Sequence, residues 1–233
     1  MSSTILQKTS TQWDWKLWFQ WILANAASES VGLGTTLLIG AFLLVNAEPT
    51  IGALPAAALG VLAGTVIEGS VVGTAQWLVL RRPLEQMHWH TWVLATALGA
   101  CVAWTLGMIP STLLFTGPDT GTAASGEMSD LMIYTLAAAM GVALGTILGA
   151  AQWLALRRHL PKAGWWMPAN ALAWMLGMVV VFIGTSFIPA EGITVPVALI
   201  LLLFVVAAGA VVGAVNGLVL IWLLHQRRLG AMA

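Results

Sequence analysis

A chain of 233 residues that is 59% hydrophobic and only 8% charged cannot coat a water-soluble globule, because soluble domains carry about 25% charged side chains. Nine Lys and Arg balance nine Asp and Glu, leaving no basic excess for nucleic acid, and a single cysteine excludes an internal disulfide framework. The remaining solvent is lipid, so the expected fold class is an all-α integral membrane bundle, each helix needing roughly 20 apolar residues to cross about 30 Å of hydrocarbon.

The chain opens on a polar stretch that becomes rich in tryptophan: Trp13, Trp15, Trp18 and Trp21. It lacks the short apolar core and small-residue cleavage site of a secretory signal. Indole rings favour the headgroup level, so residues 1–21 are expected to be an interfacial lead-in. Apolar segments then follow at about 22–46, 54–80, 91–115, 131–156, 165–188 and 195–224. The breaks between them carry Glu48-Pro49, Arg82-Pro83, Gly117-Pro118-Asp119, Leu160-Pro161 and Pro189, with Pro196 near the start of the last helix. The longest connector, about 116–130, is too short and too poor in large side chains to be a domain.

The cations are distributed by topology. Lys8 and Lys16 precede span one; Arg81 and Arg82 follow span two. Arg157, Arg158 and Lys162 follow span four, and Arg227 and Arg228 follow span six. The opposite connectors hold Glu48, Asp119, Glu127, Asp130 and Glu191 but no Lys or Arg. Positive charge marks the cytoplasmic side, so six spans with both termini in the cytoplasm are expected.

The spans repeat. "GTAQWLVLRR" at 73–82 and "GAAQWLALRR" at 149–158 agree in eight of ten letters. The returning helices two, four and six share Gly-x3-Gly-x2-[Gln/Asn]-x-Leu-x-Leu, as Gly69–Gly73–Gln76, Gly145–Gly149–Gln152 and Gly209–Gly213–Asn216. The outgoing helices share Trp-x-x-Ala-[Asn/Thr], as Trp21–Asn25, Trp92–Thr96 and Trp166–Asn170. A two-helix hairpin is therefore expected in three direct copies, at 22–82, 83–162 and 163–228. The third copy departs most, with Gly217 where the others have tryptophan and its arginine pair displaced to Arg227 and Arg228. The repeated Ala-Gln-Trp-Leu-x-Leu-Arg-Arg, with its Trp-rich helix starts, resembles a group of uncharacterised bacterial polytopic membrane proteins. The resemblance covers most of the chain and is weakest in the third hairpin. It implies a bacterial inner-membrane setting and brings no activity or catalytic residues with it.

Counting 1.5 Å per residue from the arginines and tryptophans places Asn25, Gln76, Thr96, Gln152, Asn170 and Asn216 in one tier. The amides and hydroxyl are expected to bond between helices, with the glycines admitting close approach; a polar lining for a ligand is the other reading. Two residues break the repeat. Glu29 lies two turns inside Trp21, and Glu68 lies about 20 Å along its helix from Arg81. The matching positions are Ala100 and Trp174 for Glu29, and Leu144 and Ala208 for Glu68. A carboxyl at mid-membrane costs at least about 2.5 kcal/mol and is a functional candidate by default. No Lys or Arg lies at matching depth. Two roles are open: a neutral acid donating a hydrogen bond in helix packing, or a pair that exchanges a proton or binds a small cation.

His88, His90, His159 and His225 all fall at the basic rim. Residues two apart on a helix diverge by about 200°, so His88 and His90 are not expected to share a metal unless extended, and no metal or cofactor is expected. No His-Glu-x-x-His, Gly-x-Ser-x-Gly or P-loop occurs, so no enzyme is expected. Two functions remain. One is transport of a small solute, ion or proton through Glu29 and Glu68. The other is a non-catalytic membrane subunit or scaffold holding partner helices, lipid or pigment. Lipid is the expected surrounding partner; a second copy or another membrane protein stays open.

Overall fold

The computed structural model describes residues 13–115, 129–189 and 192–231. Lys8, Asp119, Glu127 and Glu191, and most of the 116–130 connector, lie outside them. All secondary structure among the described residues is helical. Asp14 starts α1 (Trp15–Phe42) by accepting a hydrogen bond from the Leu17 amide at 3.0 Å. Five π-helical residues (Leu43–Ala47) and the one-turn α2 (Glu48–Ile51) carry the chain to Gly52, whose φ of 89° needs glycine. The return comprises α3 (Ala53–Ala63), a π-helical turn (Gly64–Glu68) and α4 (Gly69–Leu80). Then come α5 (Trp89–Phe115), α6 (Asp130–Leu156, capped by Ser129), α7 (Trp166–Thr185) and α8 (Val195–Gly230, with proline in its first turn).

Six of these stretches are long and apolar enough to cross a membrane, and the protein reads as a multi-pass membrane protein. Its surface agrees. Leu38, Leu98, Leu131 and Leu203 stand 65–77% exposed, while Asn25, Glu29, Gln76, Gln152, Asn170 and Asn216 are at most 3% exposed. A water-soluble globule buries its leucines and wets its amides; here the arrangement is reversed.

The spans form a closed ring. Each packs against its neighbours in chain order, and α8 packs back against α1. The chain ends and the two short turns meet at one end of the ring, where Asp14 lies 4.0 Å from Arg228. There Arg227 also donates to the Pro83 carbonyl, and Lys162 donates to Gln226. The described cations thus gather at what is called here the basic end.

The glycine motifs make the tight joints of this ring. A Cβ on Gly69 or Gly73 would come within 2.7–3.0 Å of the α5 backbone at Ala97 or Val93. On Gly145 it would overlap the Asn170 carbonyl of α7, and on Gly209 or Gly213 it would meet the α1 backbone at Ala26 or Ile22, at 2.9 Å. The motif glycines of α4 face α5, those of α6 face α7, and those of α8 face α1.

The tryptophan-rich stretch from Trp15 onward belongs to α1 itself, and Trp21 is fully buried. An indole settles at the interface when lipid is its best surrounding. Here the ring offers Trp21 apolar walls and an acceptor for its N–H.

Candidate functional site

Three indoles close the basic end. Trp21, Trp92 and Trp166 are each 0% exposed and meet edge to face. Their centroids are 6.5, 5.9 and 6.3 Å apart and their planes cross at 65–73°, the arrangement aromatic quadrupoles favour. Beneath them, toward the arginines, Leu80, Leu156 and Leu220 are all fully buried. These are the final leucines of the three returning motifs.

The amide tier encircles the indoles. Trp92 donates to Gln76 Oε1 (3.2 Å), Trp166 to Gln152 Oε1 (2.9 Å) and Trp21 to Asn216 Oδ1 (2.8 Å). The same amides donate onward: Gln76 to Asn25 Oδ1 (2.9 Å), Gln152 to Thr96 Oγ1 (3.1 Å) and Asn216 to Asn170 Oδ1 (3.2 Å). Each returning helix therefore accepts from the outgoing helix after it and donates to the one before it, and α8 closes the circle onto α1. Asn25, Thr96 and Asn170 are oriented in turn by bonds to the carbonyls of Trp21, Trp92 and Trp166. Thr96 is one atom shorter than asparagine, and there Gln152 also reaches Gln76 Oε1 at 3.1 Å. Seven side-chain bonds thus cross between helices. At roughly 0.6 kcal/mol each in a membrane bundle, they contribute about 4 kcal/mol.

Position 217 of α8 holds glycine where the matching motifs of α4 and α6 hold tryptophan, and the packing gives a reason. A Cβ at Gly217 would lie 2.9 Å from Trp21 and 3.1 Å from Trp18. Trp18 occupies the space and donates to the Ala214 carbonyl at 3.0 Å. On α4 and α6, Trp77 and Trp153 instead lie under Arg81 and Arg157, with guanidinium-to-ring distances of 5.4 and 4.9 Å.

Above the indoles, on the side away from the arginines, the ring encloses a cavity of about 330 Å³ lined by every span except α8. It runs along α5 from Thr96 to Met108, about 18 Å of helix. Glu29 and Glu68 both line it. Gly32, one turn beyond Glu29, lets the two helices touch, since a Cβ there would stand 3.0 Å from Glu68 Cα. Glu68 ends the π-helical turn and accepts a 3.0 Å hydrogen bond from Trp104 Nε1. Gly64 makes room for that indole, which any Cβ at position 64 would overlap. Glu29 is 3% exposed, and its Oε2 has no hydrogen-bond partner; nor does Trp174 Nε1, across the cavity.

The sequence-derived residues therefore divide into two groups. Asn25, Gln76, Gln152, Asn170 and Asn216 lie in the hydrogen-bonded tier with Thr96, and Glu29 and Glu68 meet in the cavity above it. Trp104 was not singled out in the sequence; a lone Trp in an apolar helix carries no mark of depth or partner. His88 and His90 approach to 5.4 Å between ring centroids, closer than helical spacing predicts, because His88 precedes the first turn of α5. Among the described residues no group of three or more His, Cys, Asp or Glu is placed to hold a metal ion. His159, outside the spans, is held below the ordinary imidazole pKa, first by burial and then by Arg227, Arg158 and His88.

Comparison with protein-family models, curated proteins and solved structures finds no match to this chain.

Proposed function

We propose that the protein is a small carrier in a bacterial inner membrane. It would move a proton or a small cationic solute through the Glu29–Glu68 site, with both termini cytoplasmic. In this reading the chain is three direct-repeat hairpins arranged around a pseudo-threefold axis through Trp21, Trp92 and Trp166. The observation that carries it is the juxtaposition of two features. A cavity is lined by two carboxyl groups, and directly below it a closed ring of indoles and amides bars the way to the basic end.

Several features support the reading. The sequence motifs recur at the tier that seals the ring and diverge at the level of the cavity, where Glu29, Ala100 and Trp174 occupy matching positions. Structural roles follow a fold's internal symmetry; a ligand without that symmetry does not. Glu68 sits on a π-helical turn, a distortion that recurs at functional sites. Among the described residues, the only titratable groups lining the cavity are the two glutamates, and its one hydroxyl, Thr96, donates to the Trp92 carbonyl. That set suits binding and release better than catalysis. The scaffold reading would use the glycine faces for partner helices, yet all three motifs are taken up within the ring.

Transport then requires the indole ring to open on the cytoplasmic side while the cavity closes on the other, exposing the carboxyls to each compartment in turn. Purified protein in liposomes, under an imposed pH gradient and membrane potential, is expected to carry proton or cation current. Glu29→Gln and Glu68→Gln should each reduce it by about tenfold or more, since a neutral amide neither loads a proton nor holds a cation. Undiminished current in both variants, or none in the wild type, would refute the carrier assignment.

A further inference from the structure

The walls of the cavity indicate more than the presence of the carboxyls. Apart from Glu29, Glu68 and Thr96, its lining is glycine, aliphatic, methionine and tryptophan, including Met108, Met140, Met178 and the indoles of Trp104 and Trp174. Indole faces attract a cation through the ring quadrupole, and methionine adapts to irregular apolar shapes. Among the described residues no Lys, Arg or His lines it, so α1, α4, α5, α6 and α7 bring it no described titratable group beyond the two glutamates. A volume of about 330 Å³ lies in the range that holds a drug-sized molecule, where pockets run from roughly 300 to 1,000 Å³. Glu29 Oε2 and Trp174 Nε1, on two of the lining residues, are both left without a hydrogen-bond partner.

We infer that this cavity binds a hydrophobic organic cation, such as a protonated amine, a quaternary ammonium or a phosphonium carrying aromatic or alkyl groups. The inference rests on the Glu29–Glu68 site of the carrier reading and adds the chemical class of its ligand. An inorganic cation fits poorly, because hard cations demand about six or more oxygen ligands and the walls offer only two carboxyls and a committed hydroxyl. A bare proton needs no cavity. An anion would meet two acids. An organic cation uses all the groups present: the carboxyls answer its charge, the indole faces its onium centre, and the methionines and leucines its apolar substituents. Because an added positive charge in a buried site must be balanced, cation and carboxyl proton compete for the same two groups.

Tetraphenylphosphonium and tetraphenylborate provide the test, being close in size and shape but opposite in charge. Equilibrium binding to the purified full-length protein in lipid nanodiscs is expected to be saturable for the phosphonium and absent for the borate. Phosphonium binding should weaken by about tenfold or more in Glu29→Gln or Glu68→Gln. Ala103→Trp keeps both carboxyls but fills the cavity and should abolish binding, which guards against misfolding of the Gln variants as the cause. Equal binding of both ions, or unchanged phosphonium binding in Glu29→Gln, Glu68→Gln and Ala103→Trp, would overturn the inference. So would absent phosphonium binding in a protein that still carries Glu29-dependent current, and the carrier reading would then stand with a smaller ion. Selective binding without current would leave the organic-cation site intact and remove transport.

Discussion

Trp104 and Trp174 face the same cavity with opposite fates for their N–H groups: one donates to Glu68, the other has no partner. Replacing either by phenylalanine removes similar apolar bulk, but only Trp104→Phe deprives a buried carboxyl of its donor. Losing such a bond costs about 1 kcal/mol or more, whereas deleting an unpaired donor is nearly neutral. Trp104→Phe should therefore be the less stable variant by at least about 1 kcal/mol in denaturant titrations in detergent; equal stabilities would remove the Trp104–Glu68 bond from the account. A second residue-scale prediction concerns His159. Its pKa is lowered in the folded protein, so the unfolded chain binds the proton more readily. The contribution is complete above the unfolded value of about 6.5 and is lost as pH falls through the lower folded one. His159→Gln should flatten the fall in melting temperature between pH 7.5 and 5.5, and an unchanged slope would contradict the placement beside Arg227 and Arg158. At this scale the sequence was legible where depth could be counted. Glu29 and Glu68 stood out because cations and indoles measured their distance from the rim. Trp104 did not, since nothing in an apolar run says which tryptophan meets an acid.

Among whole helices, glycine spacing announced close packing but not the neighbour. A Gly-x3-Gly face serves equally for the helix of its own hairpin or that of the next, and only the assembled ring shows that every copy chose the next. The two π-helical turns were not legible either. No residue pattern marked the π-helical turn over Gly64–Glu68, on which Glu68 sits beside the cavity. The glycine joints give the third prediction. Gly145→Ala places a methyl group against the Asn170 carbonyl, and neither backbone can yield without breaking the bond from Asn216 to Asn170. A loss of more than about 2 kcal/mol is expected. Gly34 has no atom within 4 Å of its would-be Cβ, so Gly34→Ala should change stability by less than about 0.5 kcal/mol. Similar effects at both positions would mean that the α6–α7 joint is looser than described.

For the whole molecule, the repeat was readable in the letters, while closure of the ring was not. That α8 meets α1 depends on the angle each hairpin turns, which no local pattern records. Closure has a consequence for chain order. The joint between α8 and α1 uses the same glycines, the same tryptophan-to-amide bond and the same rim as the joints α4–α5 and α6–α7, but has no connecting loop. If the three proposed units are equivalent, the short turns at the basic end contribute proximity rather than architecture. Asp14 and Arg228 lie close enough for a flexible linker to join the start of α1 to the end of α8, and Glu85 and Gln86 are exposed in the α4–α5 turn, where a new start can be cut. The resulting circular permutant would insert its hairpins in the order two, three, one, each still entering from the side that bears the arginines. Short exposed turns tolerate such cuts, and the deep contacts of Trp21 with Asn216 and of Asn25 with Gln76 would form whichever hairpin is made first. The permutant should elute as a single species and keep current and phosphonium binding within about threefold of the parent, a change in binding free energy of under 1 kcal/mol. A permutant that inserts but loses both would show that hairpin one must be made first to template the others, and equivalence of the three units would fall with it.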